Sequence, residues 1–256
     1  MNAAALTLSQ MRYVNKAYWR NPASAFFAFV YPLMFLVIFT SLFRNSTVRF
    51  GAKSVNEATY YVPAMAALAV ITVCFNNIAV AITFQRDAGV LKRINGTPLS
   101  STSFFGARIL HAVFLSVLLV TITAAFGHAF YSAHIPTGAT LARLLVVLAV
   151  GAAAFCALGF AISSVIPNAD ASLPIVNAVI LPLLFLSGIF IPLGNNPPEW
   201  MVWVGRVFPI KHFLNGMQAS FLGAPFHWTD VLVIAAWGVA GLLFAIRFFR
   251  WEPRTG

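Results

Sequence analysis

Acidic side chains are nearly missing from this sequence: 256 residues contain six Asp and Glu, and the first of them is Glu57. Even with 16 Lys and Arg, the charged fraction is 9 %, against roughly a quarter in soluble domains. So few charges cannot cover a water-facing surface, and 60 % hydrophobic residues exceed what one globular core of this length buries. A soluble fold does not fit, and the solvent that does is lipid.

Other absences narrow the function. The only cysteines, Cys74 and Cys156, lie in apolar stretches, which excludes a disulfide framework and a cysteine-based zinc site. No His is followed by Glu, so H-E-x-x-H is missing and no metal site is expected. The glycine of an intramembrane serine protease's G-x-S-G is lacking before Ser187-Gly188, and no carboxylate pair shares an apolar stretch. No phosphate loop of the form G-x-x-x-x-G-K-S/T occurs, so the chain itself hydrolyses no ATP. The first 20 residues hold Arg12, Tyr13, Lys16, Tyr18 and Trp19 rather than a short apolar run, unlike a cleaved signal peptide.

What is present is a series of charge-free gaps. A helix crossing the roughly 30 Å hydrocarbon layer needs about 20 apolar residues. Arg20 to Arg44 encloses 23, Glu57 to Arg86 28, Arg108 to Arg143 34, Arg143 to Asp170 26 and Asp170 to Glu199 28. Asp230 to Arg247 encloses only 16, but Arg247 and Arg250 can snorkel. The predicted fold is an all-α integral membrane domain over 1–256, with six spans near 24–43, 60–84, 109–131, 141–165, 172–191 and 230–249. The gap from Lys211 to Asp230 is too polar for a seventh span and reads as an outer re-entrant or interfacial piece. With both termini inside, the inner segments carry ten Lys and Arg and the outer ones six, as the positive-inside rule expects. The net charge of +10 therefore follows the membrane and implies no nucleic-acid partner.

Two inner segments carry further pattern. Residues 6–20, with Leu8, Met11, Tyr18 and Trp19 among basic residues, read as a helix in the inner interface or as a solvated tail. In the stretch 84–98, Val90, Leu91 and Ile94 form one apolar face opposite Arg86, Lys92 and Arg93, and Gly96 and Pro98 end it. Docking of a cytoplasmic partner and a plain basic juxtamembrane loop both fit that pattern. On the outer side, Asn196 can cap a short helix with Pro197 first and Glu199 third, running to about Phe208 and placing Trp200 and Trp203 at interfacial depth before Pro209 breaks it. Such irregular backbone is tolerated against protein or a watery cavity.

Within span 2, Thr72, Asn76 and Thr83 fall at i, i+4 and i+11, with Asn77 beside them. Asn177 lies in span 5 between Pro174 and Pro182, and Ser187 ends that span. Two explanations stand for these buried polar groups: a substrate pathway, or interhelical hydrogen bonds worth about 0.6 kcal/mol each.

At these segments the chain resembles the permease subunits of type-2 ATP-binding-cassette exporters, in particular the bacterial drug and antibiotic branch. The inner motif of that family, approximately E-R-E-x-G-T-L-x-x-L-x-x-S/T-P, is matched by Gln85, Arg86, Asp87, Gly89, Leu91, Lys92, Arg93, Ile94, Thr97 and Pro98. An S-G-x-x-x-P element with a later Pro-Pro-x-W and Pro is matched by Ser187, Gly188, Pro192, Pro197, Pro198, Trp200 and Pro209. Gln85 departs from the family's leading acid and cannot carry its charge.

The resemblance implies half of a transporter's membrane part. Two copies, or two related subunits, form a pathway lined by spans 2 and 5. Each docks a cytoplasmic ATPase subunit that binds Mg-ATP, while this chain binds no cofactor. The helix from Arg86 to Thr97 would insert into a groove of the ATPase, and the turn carrying Asn168 and Asp170 would make a second contact. The implied cargo is a hydrophobic or amphipathic small molecule, with lipid-linked or polysaccharide cargo as the alternative, and the implied location is the bacterial plasma membrane with both termini cytoplasmic. An ion channel or proton-coupled carrier is the competing class, disfavoured because no Asp or Glu lies in the interior of a span, Asp230 standing at the edge of the last one.

Overall fold

Backbone in lipid must satisfy its own hydrogen bonds, and helices answer that demand throughout most of this chain. The computed structural model describes residues 3–43, 47–50, 53–192 and 197–253. Helix α1 (Ala3–Trp19) leads into α2 (Pro22–Leu42), followed by strands β1 (Thr47–Phe50) and β2 (Lys53–Asn56). A long helical rod comes next, made of α3 (Glu57–Ile71), a π-helical segment (Thr72–Asn77) and α4 (Ile78–Asp87). Then follow α5 (Val90–Asn95), α6 (Ser101–Tyr131), α7 (Ala139–Ser163), α8 (Ser172–Ser187), α9 (Glu199–Val207), α10 (Pro209–Leu222) and α11 (Trp228–Phe248).

Five helices among the described residues are long and apolar enough to cross a membrane: Ala25–Leu42, Thr59–Asp87, Ser101–Tyr131, Ala139–Ser163 and Trp228–Phe248. The expected fifth span, 172–191, is shorter than predicted. α8 has 16 residues, about 24 Å of helix against a layer of about 30 Å. It stops because Gly188 adopts a left-handed φ of 89°, and the chain then turns inward to bury Ile189 and Phe190. The Tyr60 hydroxyl donates to the Gly188 carbonyl at 2.9 Å and that of Tyr61 to Phe190 at 3.2 Å, fixing this turn to the start of the central rod.

The rod is the axis of the packing. From Tyr60 to Cys74 nearly every described side chain is buried, as expected of a helix apolar on all sides. Small residues let its neighbours approach: a Cβ at Gly159 of α7 would lie 2.9 Å from the Phe75 carbonyl oxygen of the π segment, and one at Gly238 of α11 would lie 2.8 Å from Ala154 Cβ of α7. By contrast α2 and α11 leave most of their surface outside the bundle.

Some details differ from expectation. A short antiparallel hairpin, β1 with β2 and Thr47 opposite Asn56, stands between α2 and α3 in the otherwise helical fold. The inner segment 85–108 is largely helical: α4 runs on to Asp87, and α6 starts at Ser101, with the Ser100 hydroxyl accepting from the Ser103 amide at 3.2 Å. Arg108 therefore lies on a helix, since an arginine can be tolerated two turns inside one when its stem finds apolar contacts. On the outer side, Asn196 lies outside the described residues, and α9 begins at Glu199 behind Pro198 with no side-chain cap. Pro209 does end α9, but it also opens α10, a second, mostly buried helix.

Candidate functional site

The inner motif folds into two pieces. Gly89, with φ 68° and no side chain to clash there, breaks the helix between α4 and α5. Arg86 and Asp87 consequently belong to the end of the central rod, and Arg86 is corrected from an exposed face residue to an interior one, 2 % accessible. Its guanidinium donates to the carbonyls of Ser163 at 2.9 Å, Ile166 at 2.8 Å and Pro167 at 3.2 Å. The first ends α7, at the negative pole of its dipole, and the other two belong to the turn that follows it. Asp87 has the complementary role. Its carboxylate accepts from the Ala169 amide ahead of α8 and lies 3.5 Å from Arg86 Nε. Two consecutive residues thus grip the turn between α7 and α8 by both of its helix ends.

Beyond Gly89, α5 buries Leu91 and exposes Lys92 and Arg93. Lys92 meets Glu252 at 3.2 Å at the surface. Asn168 and Asp170 are exposed on the gripped turn, where the Asn168 side-chain Oδ1 accepts from the Ala171 amide at 2.9 Å. Pro98 is exposed after α5. Gln85 accepts from the Arg108 guanidinium, a contact between α4 and α6 that sequence order conceals.

Higher on the rod, Thr72, Asn76 and Asn77 line a cleft of about 470 Å³ with Asn177 of α8 and aromatic residues of α2. The structure brings together four of the six residues read as a pathway. Thr83 and Ser187 are elsewhere: both are buried, and their hydroxyls donate to their own helix, to Ala79 at 2.8 Å and Leu184 at 2.8 Å. The i, i+11 spacing assumed an unbroken α-helix, whereas the π turn widens the coil and shifts the register of every residue after it. The Asn76 Oδ1 is buried with no hydrogen-bond partner among the described residues, so it is a free acceptor on a cleft wall.

The outer elements converge on His212 of α10. Its Nδ1 meets an Asp230 carboxylate oxygen of α11, and its Nε2 lies 2.9 Å from the Arg206 carbonyl of α9. Two acceptors suit a ring that donates from both nitrogens, and the Asp230 hydrogen bond raises the His212 pKa above its usual value. Burial pushes the neighbouring Lys211 down, opposed by Asp230. The Trp237 indole donates to the Val207 carbonyl at 2.7 Å. Trp200 and Trp203 are exposed on α9, Pro192 ends the described part of the loop and Pro197 precedes α9. Sequence reading missed the pairing of His212 and Asp230, which lie on different helices, α10 and α11, so no periodicity within one element relates them.

Residues 6–222 match the model of the ABC-2 type transporter family. The chain belongs to that family. It is 25 % identical over 221 residues to a putative transport permease, ycf38, of Porphyra purpurea, which covers 86 % of this chain and 75 % of the relative. A ycf38 of Cyanophora paradoxa is 23 % identical over 236 residues, covering 90 % and 75 %. A probable multidrug ABC transporter permease, YbhR, of Escherichia coli strain K12 is 23 % identical over 144 residues, 56 % of this chain and 38 % of the relative. An ABC-2 permease is the transport component of its system rather than a catalytic one, and membership implies a partner ABC ATPase. Five membrane-length helices agree with a multi-pass membrane protein.

Proposed function

We propose that this ABC-2 permease exports hydrophobic or amphipathic small molecules, drugs or antibiotics among them, as a dimer served by two cytoplasmic ATPase subunits that hold Mg-ATP. The observation that carries this reading is that one continuous rod, Thr59–Asp87, bears the cleft residues Thr72, Asn76 and Asn77 and, at its end, the Arg86–Asp87 grip. Displacement of α5 by an ATPase would act on the rod through Gly89 and on α8 through the gripped turn. Both walls of the cleft would then shift together, as alternating access requires. The mixed apolar and amide lining suits cargo with few hydrogen-bonding groups.

In this reading α8 completes six spans, both termini face the cytoplasm of a bacterial plasma membrane, and the exposed Lys92, Arg93, Asn168 and Asp170 meet the ATPase. The α9–α10 segment, with Pro192, Pro197, Glu199, Trp200 and Pro209, closes the outer end. Purification of the tagged chain in mild detergent should yield a stoichiometric ATPase that Arg93→Glu releases. Compounds that are cargo should raise ATP turnover in the reconstituted complex. Stimulation by lipid-linked saccharides alone would reassign the cargo, and a partner-free chain that conducts ions would overturn the reading.

A further inference from the structure

A second cleft, of about 680 Å³, lies between α1, the π segment with α4, α5 and the beginning of α6. None of the described residues lining it is acidic. Arg108 stands in its wall, and the partners described for its guanidinium, the Gln85 carbonyl oxygen and the Phe104 ring at 4.0 Å, carry no charge. Of the acids at this end, Asp87 is committed to Ala169 and Arg86 and Glu252 to Lys92, while Asp170 is exposed on the turn before α8 and does not line the cleft. A cation held out of water without a counter-charge is costly.

Two more polar groups lack partners there. The Tyr18 hydroxyl and His111 Nε2 are buried with no hydrogen-bond partner among the described residues, and both side chains line this cleft, their rings edge-on at 5.4 Å. The wall continues into apolar Val73, Ile78 and Ile82. Over the cleft lies α1, whose described residues include no acid and whose Arg12 and Lys16 are exposed. A cation, two orphan polar groups and an apolar run in sequence match a molecule with an anionic, acceptor-rich head and a hydrocarbon tail.

We propose that this cleft holds an anionic phospholipid, with its phosphate on Arg108 and its acyl chain along the central rod. Arginine suits the phosphate because its planar fork donates two parallel hydrogen bonds. The proposal rests on the orientation given under the proposed function, since the cytoplasmic leaflet is the one that carries the anionic lipids. Val90 and Ile94 of α5 form part of the same wall, so the lipid braces the helix expected to meet the ATPase. Gln85 accepts a hydrogen bond from Arg108 without neutralising it, so the guanidinium keeps its charge and further donors for a lipid phosphate.

The test presents the purified full chain with mixed micelles of phosphatidylglycerol or phosphatidylcholine and reads the retained lipid by native mass spectrometry. The native chain should prefer phosphatidylglycerol by about tenfold, the scale of one charge-assisted hydrogen-bonded contact. Arg108→Gln should abolish the preference, and so should Gln85→Glu, which supplies a counter-charge without removing the arginine. Arg108→Lys should keep most of it, and Ala17→Trp, filling the cleft from α1, should reduce retention of both lipids. Equal retention of the two lipids by the native chain, an unchanged preference in Gln85→Glu, or equal occupancy by inorganic phosphate alone would overturn the proposal. ATPase retention is scored separately in each sample. Its loss with the lipid preference intact counts against the transport reading and leaves the lipid site standing, and the reverse counts against the lipid site alone.

Discussion

The guanidinium of Arg86 donates to the Ile166 carbonyl at 2.8 Å, joining residues 80 positions apart. With the bonds to Ser163 and Pro167, it turns an arginine at the end of one helix into the cap of another. Arg86→Gln leaves those carbonyls short of donors and should cost about 1.5–3 kcal/mol, read as a lower melting temperature in detergent. Arg86→Lys should recover only part of it, because a point charge cannot span three carbonyls in a fixed fork. An unaltered melting temperature for Arg86→Gln would contradict the grip.

Gly159→Ala tests the π segment. The added Cβ would stand 2.9 Å from the Phe75 carbonyl oxygen and 3.1 Å from that of Cys74, and backbone cannot move aside as a side chain can. A loss of about 1–3 kcal/mol is expected. Gly106→Ala is the control: its Cβ meets only Thr7 Cγ2, at 3.4 Å, and gains helix propensity of about 1 kcal/mol. Equal thermal stability of the two variants would show that the π carbonyls do not constrain α7.

Asn76→Ala separates a pathway from a packing role. An Asn serving as interhelical glue loses a bond on truncation, but Asn76 Oδ1 has none among the described residues. Stability should therefore stay within about 0.5 kcal/mol, while the set of compounds that stimulates ATP turnover in the reconstituted complex changes. A destabilised variant with an unchanged compound profile would assign Asn76 to packing.

The His212 ring introduces a pH dependence whose sign follows from its raised pKa. Folding favours the protonated ring, so its stabilising contribution is complete below the ordinary histidine value of 6.5 and fades as pH rises through the higher folded value. Asp230 and the Arg206 carbonyl hold the proton, while the Lys211 charge and burial oppose it. Melting temperature in detergent should fall from mildly acidic to mildly alkaline pH in the native chain. His212→Gln should flatten that slope, and a variant that keeps the native slope would place the titration on another group.

Several features were legible without coordinates because they rest on local chemistry. The spacing of charges located the five membrane-length helices and overestimated the length of α8, and the run Val90, Leu91, Ile94 located α5. Thr72, Asn76 and Asn77 were readable as one stripe since they lie within a turn and a half of helix. Thr83 was not, because the π segment Thr72–Asn77 shifts the register of the helix that follows it, and Thr83 is buried. Arg108, used as a boundary because it is charged, lies inside α6 instead, with Gln85 and Phe104 as its contacts.

By itself the sequence determined that the chain lives in lipid and where its long helices run, since too few charges and long apolar gaps admit no other solvent. Only the tertiary structure decided what the sparse charges do. Arg86 and Asp87 turn inward onto two helix ends, Arg108 lines a cleft without a counter-charge, and Asp230 holds His212. A charge in an apolar medium must find whatever partner packing brings within reach, and packing joins residues that no sequence period relates.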